Sequence, residues 1–162
     1  MTQNGITKKE NDYFEYLKKC IDGMQGSTTF YRTATALIPI AATENSVTCE
    51  ITVANEHVNE KGTMHGGQTV TLVDILTARA VGMTVRDMPM VSVDLSCSFM
   101  LPIPVGEIVV MHAEVLKKGR TMAFTECEFR RKSDNKLLAK GKHNLALLPY
   151  MKVADPSLIR QF

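Results

Sequence analysis

Apolar positions along the chain recur first at helical spacing and then mostly in alternation. Between residues 8 and 24, Tyr13, Phe14, Leu17, Cys20, Ile21 and Met24 fall three or four apart, which predicts an amphipathic helix with one packing face. Thr7 is placed to cap it, Glu10 to complete a capping box, and Gly23, Gly26 and Ser27 to end it. Phe30 to Ala42 predicts a long strand interrupted near Pro39, and Glu44-Asn45-Ser46 a turn. Val47, Cys49, Ile51 and Val53 then alternate with Ser46, Thr48, Glu50 and Thr52, a strand with one buried face.

Residues 55 to 64 form a polar, glycine-bearing loop, and residues 65 to 83 predict a helix that is apolar on most faces and therefore buried. Gly82 and Pro89 bound the connection that follows. Val91, Val93, Leu95, Cys97 and Phe99 alternate with Ser92, Asp94, Ser96 and Ser98, and Pro102 and Pro104 end that strand. Glu107 to Leu116 and Thr121 to Arg131 flank the tip Lys117-Lys118-Gly119-Arg120, which predicts a hairpin. Ser133-Asp134-Asn135 is the next turn, and residues 136 to 148 the last strand. The order is helix, two strands, a long apolar helix, then four strands. Consecutive strands with short turns imply an antiparallel sheet, and such a sheet can wrap the apolar helix. The fold class is α+β, with an N-terminal helical extension at residues 1–27, a main domain at 28–148 and a tail at 149–162.

Composition adds exclusions. With 162 residues, 44% hydrophobic and 22% charged, the chain fits one globular domain, and a net charge of +2 gives no case for nucleic-acid binding. Cys20, Cys49, Cys97 and Cys127 show no metal-type spacing, so reduced, mostly buried thiols are expected. No run is long and apolar enough to span a bilayer, and the N-terminus lacks the marks of a signal or transit peptide. The expectation is a cytoplasmic protein, with the mitochondrion left open. Nothing suggests a metal or redox cofactor: the two loop histidines are eight residues apart without a third ligand.

The chemistry concentrates between His57 and Asp74. Asp74 is a carboxylate on a helix expected to be buried, where an ionised group must be paired, bonded or used. A structural carboxylate bonded to Thr71 or Thr77 is the plainer alternative. Gly66 and Gly67 stand where the helix begins, so no side chain shields its first N–H groups from a ligand oxygen. Acyl transfer to water needs such donors together with a base or nucleophile.

The pattern His-x-Asn-x-x-Gly-x-x-His-Gly-Gly-x-x-x-x-Leu-x-Asp over residues 57–74 resembles the hotdog-fold thioesterases of the phenylacetic-acid-degradation type. Val91-Ser92-Val93-Asp94, residues 116–125 and residues 136–143 strengthen the likeness toward the animal acyl-coenzyme A thioesterases within that family, and it spans about residues 30–147. The resemblance implies a hotdog fold, an antiparallel sheet wrapped around one long central helix. It implies hydrolysis of medium- to long-chain fatty acyl-coenzyme A. Asp74 would activate water or attack as a nucleophile, the Gly66 N–H would polarise the carbonyl, and Gly67 would assist. Asn59, His65 and Ser92 would position groups, while His57 is structural.

Coenzyme A contacts are implied for Phe99, Met100, Leu101, Pro102, Ile103 and Pro104, and for Lys117, Lys118, Gly119, Arg120, Thr121 and Met122. One departure is Ala146, where the family carries a histidine. The family pairs subunits with sheets side by side, the site lying between Asp74 of one and the Gly66 loop of the other, and two such dimers form a tetramer. The rival readings are a non-catalytic acyl-coenzyme A binding or sensing module on the same fold, and a dehydratase of acyl thioesters.

Overall fold

The computed structural model describes residues 8–151. The expected cap at Thr7, the Glu10 side chain and most of the tail lie outside the described residues. The first helix, α1 (Lys8–Asp22), turns Tyr13, Leu17 and Ile21 inward, and Met24 just beyond it is buried too. Arg86 to Asp12 at 2.6 Å and Lys9 to Glu44 at 3.2 Å tie its outer face to the body.

The segment from Phe30 to Ala42 corrects the expected long strand. Phe30–Ala34 is a 3-10 helix whose cap, Thr29, accepts the Tyr31 N–H, and only Ile38–Ala42 is a strand, β1. A stretch as short and mixed as Phe-Tyr-Arg-Thr-Ala does not distinguish the two by periodicity. Here the local Thr29 bond (with Ser27 on its hydroxyl at 2.7 Å) favours the tight turn.

Strands β2 (Ser46–Thr52), β3 (Met90–Phe99), β4 (Ile108–Lys118), β5 (Met122–Arg131) and β6 (Leu137–Leu147) complete one antiparallel sheet in the order β1-β2-β4-β5-β6-β3. The second helix, α2 (Gly66–Gly82), lies in the concave face of that sheet. Leu72, Val73, Leu76 and Ala80 of α2 are sealed in one cluster with Val47, Cys49, Ile51, Met111 and Phe129, and Val81 in a second with Ala123, Leu145 and Leu147. The alternation expected of β2 holds, its odd-numbered residues being buried. At the β5–β6 turn Asn135 takes φ 59°, as the turn over residues 133–135 requires. This is the α+β hotdog architecture, with α1 as an addition to it.

Helix and sheet are in close contact at Gly141 on β6. A methyl group there would lie 2.6 Å from both Val73 methyls. The four cysteines are free; Cys49 and Cys127 are buried, and burial pushes the Cys49 thiol up to about 12, which keeps it inert.

The strand β3 departs from its alternating pattern. It is an edge strand, with a bulge between Ser92 and Asp94, and Val91, Val93 and Phe99 stay exposed. The pattern of the sequence marks β3 as a strand but carries no information on which neighbour it lacks.

Candidate active site

The loop before α2 is held by its own polar groups. His57 is buried and accepts the Ala54 N–H on Nδ1 at 3.0 Å, a structural role as expected. Asn59 Oδ1 accepts the Lys61 N–H at 2.9 Å, while its Nδ2 donates to Thr63 Oγ1 at 3.1 Å. Gly62 closes the turn at φ 72°. Asn59 is therefore engaged in shaping the loop. The loop is fastened to the segment after β3 by the Met64 N–H on the Ile103 carbonyl at 2.7 Å and by a bridge between Thr63 and Pro104. Gly66 lines a cavity of about 330 Å³ with Phe99, Met100, Leu101, Pro102 and Ile103.

His65 is the N-cap of α2: its extended backbone leaves Nδ1 to accept the Gly67 N–H at 2.9 Å. This corrects the expectation for Gly67, whose N–H is occupied by the cap. The Gly66 N–H has no bond among the described residues and stands at the positive end of the helix beside the cavity.

Asp74 is not buried, as the apolar helix suggested; its side chain is 47% exposed. It stands between a cavity of about 430 Å³ and one of about 270 Å³, both of which Tyr31 and Ile75 also line. Ser92 Oγ donates to Asp74 Oδ1 at 2.8 Å. The structural alternative is not realised, because Thr71 and Thr77 donate to the carbonyls of Gly67 and Val73.

The sequence reading overlooked His143. It is fully buried, its Nδ1 lies 2.7 Å from Thr77 Oγ1, and its Nε2 lies 3.4 Å from Asp74 Oδ1 without a well-aligned hydrogen bond. Burial pushes its pKa down, opposed by the charges of Asp74 and Asp94. With the Thr77 hydroxyl given to the Val73 carbonyl, a neutral His143 ring donates Nδ1–H to Thr77 Oγ1 and turns an unprotonated Nε2 toward Asp74. The available signal was the strand pattern: His143 alternates inward with Gly141, Leu145 and Leu147.

The hairpin tip with Lys117, Lys118, Gly119, Arg120 and Thr121 is exposed, with Met122 half-buried. It lies at the far end of the sheet from Phe99. The register runs Val91 beside Ala146 beside Met122 at one end and Phe99 beside Ala139 beside Phe129 at the other. β5 alone spans about 30 Å. Within one chain, the two segments expected to meet coenzyme A are therefore not brought together. Lys118 Nζ reaches Thr84 Oγ1 at the C-terminal end of α2, and Ala146 sits between Val91 and Met122.

A sheet wrapped around one helix, with an unshielded N–H at the helix start and a serine-held carboxylate two turns on, defines a hotdog-fold enzyme of thioester hydrolysis. Residues 61–138 match the thioesterase superfamily. A putative esterase of Caenorhabditis elegans is 57% identical over 78% of this chain and 75% of its own length. Human acyl-coenzyme A thioesterase 13 is 40% identical over 78% of this chain and 91% of its own. The crystal structure of zebrafish thioesterase superfamily member 2 superimposes with a TM-score of 0.80 at 36% identity, covering 83% of this chain and 98% of that one. The chain belongs to the thioesterase superfamily.

Proposed function

We propose that this enzyme hydrolyses acyl-coenzyme A thioesters, with medium- to long-chain fatty acyl groups as the main class, in sites formed between two copies of the chain. The observation that carries the reading is the state of Asp74: Oδ1 takes the Ser92 hydroxyl, and Oδ2 accepts no bond among the described residues. One oxygen is anchored while the other is free to take a proton from water or to attack the thioester carbonyl. In either route the carbon–sulfur bond breaks, coenzyme A leaves as the thiol, and the acyl group leaves as a carboxylate.

The need for two copies follows from α2 itself. Gly66 and Asp74 are about 12 Å apart along the helix. An oxyanion donor must lie within about 3 Å of the oxygen it stabilises. The unpaired edge of β3, ten residues long with Val91, Val93 and Phe99 exposed, favours pairing with a second β3. Antiparallel pairing about a two-fold axis sets the Ser92 end of one strand beside the Phe99 end of the other. Asp74 then faces the partner's Gly66 cavity, and the Lys117–Met122 hairpin approaches the partner's Phe99–Pro104 segment. The coenzyme phosphates would meet Lys117, Lys118 and Arg120 there. A tetramer of two such dimers completes the reading.

The test is thiol release from short, long and aromatic acyl-coenzyme A substrates, with wild type and Asp74→Asn side by side. Wild type is expected to turn over and the folded variant to lose activity by several orders of magnitude. Binding without thiol release by wild type would leave a sensing module in place of the enzyme.

A further inference from the structure

The 430 Å³ cavity beside Asp74 is not a plain hydrocarbon slot. Ser92 and Asp74 stand in its wall, and so does Arg79, five residues further along α2 and about 7.5 Å from Asp74 along the axis. The Arg79 guanidinium lies 5.7 Å from the centroid of the Tyr31 ring. Its Nε is buried and has no hydrogen-bond partner among the described residues. No carboxylate of those residues is within ion-pair distance of it; Asp74, in the same wall, is held by Ser92 instead. The second cation of the cavity differs: Arg86 is paired with Asp12 at 2.6 Å and stacked on Tyr16 at 4.3 Å.

A guanidinium stays charged at any working pH, and a partly desolvated cation without a counter-charge is costly. Its planar fork matches a carboxylate with two parallel hydrogen bonds. A straight fatty acyl chain would have to lie against this charge without meeting it.

We propose that the cavity beside Asp74 takes acyl chains ending in a second carboxylate, with Arg79 as the anchor of that group. Within the fatty acyl class, the preferred substrate is the mono-thioester of coenzyme A with a dicarboxylic acid, a fatty acyl chain carrying a carboxylate at its far end. This rests on Asp74 being the hydrolytic carboxylate. The thioester is cleaved at Asp74, the distal carboxylate remains on Arg79, and the product leaves as a dianion. Arg79 is then the specificity-determining residue of the acyl site.

The experiment compares kcat/KM for matched pairs that differ only in the distal group: adipoyl- against hexanoyl-, suberoyl- against octanoyl-, and sebacoyl- against decanoyl-coenzyme A. Wild type, Arg79→Met and Arg79→Lys are measured together. Wild type is expected to favour the carboxylated member of at least one pair, and Arg79→Met to lower that ratio roughly 10- to 100-fold. Arg79→Lys should keep part of it. A ratio that Arg79→Met leaves unchanged, including equal losses on both members, overturns the proposal and assigns Arg79 to the coenzyme or to folding. Calorimetric titration with uncleavable thioethers, octyl-coenzyme A and 7-carboxyheptyl-coenzyme A, separates the two readings. If no thioester releases thiol, the hydrolase reading falls. Arg79-dependent preference for the carboxylated thioether would still uphold the anchor, and its absence would overturn it.

Discussion

Gly66 and Asp74 share one helix yet lie about 12 Å apart along it, so a single chain cannot bring both to one carbonyl group. The free N–H belongs to one cavity and the free carboxylate oxygen to another. The exposed edge of β3 runs between them in a direction that a two-fold axis reverses. From this follow the roles assigned to each residue and the effects expected on changing them.

Gly66 occupies the first helical position, where proline fits without breaking a helix bond. His65 before it is extended, as a residue preceding proline prefers. Gly66→Pro therefore removes the N–H while leaving α2 intact, and should lower kcat about 10²- to 10³-fold. Gly66→Ala keeps the N–H and brings its methyl group no closer than 3.5 Å to the Phe99 ring, an ordinary contact, so it should lose far less. Steady-state kinetics with circular dichroism on both variants checks this.

Ser92 acts through the hydrogen bond to Asp74 Oδ1, so Ser92→Ala should reduce kcat roughly 10-fold with a smaller change in KM. A nucleophilic serine would predict complete loss. The comparison with Asp74→Asn decides between them.

His143 links stability to pH. Burial holds its pKa below the ordinary 6.5 in the folded chain. Between those two values the unfolded chain binds a proton that the folded chain does not, so protons favour unfolding there. Stability is full at higher pH and falls as pH drops through about 6.5 toward the lowered folded value. The charges facing the ring, Asp74 and Asp94, oppose the shift without reversing it. His143→Gln should flatten the change between pH 7.5 and 5.5. Urea unfolding of both proteins at the two values measures it, the remaining histidines being common to both.

Gly141 allows α2 to approach β6. Gly141→Ala places a methyl group 2.6 Å from Val73 Cγ1 and Cγ2 and should cost about 1–3 kcal/mol of stability. Val73→Ala in the same chain should recover part of that loss, which a double-mutant cycle would detect.

Much of the fold is legible in the sequence because single faces are strongly patterned. The alternation from Val47 to Val53 and the apolar run after Gly66 give β2 and α2 directly, and the hairpin tip and the turn at Asn135 carry their own local chemistry. Phe30 to Ala34 misleads because a mixed pentapeptide, Phe-Tyr-Arg-Thr-Ala, is too short to show a period and suits a 3-10 turn as well as a strand, and a bond at Thr29 favours the turn.

The site is less legible because its groups meet only through long-range register. His143 reaches Thr77 across 66 residues of chain, and no local pattern reports that contact. The exposure of Asp74 is equally hidden. A helix apolar on most faces implies burial, but one stripe of α2 faces cavities left outside the sheet. Asn59 and His65 show the opposite case: both have the right residue type at the right spacing, and in the isolated chain both bond to their own loop.

The most direct measurement is complementation between two inactive subunits. Asp74→Asn and Gly66→Pro chains are co-expressed with different tags so that they assemble at random, and thiol release is compared with that of each parent. In a mixed dimer one site collects both lesions, and the other receives an intact Asp74 from one chain and an intact Gly66 from its partner. Mixed dimers form half of a random population, so activity should recover to about a quarter of wild type. Mixed dimers, isolated through both tags, that remain as inactive as the parents would contradict a site shared between chains.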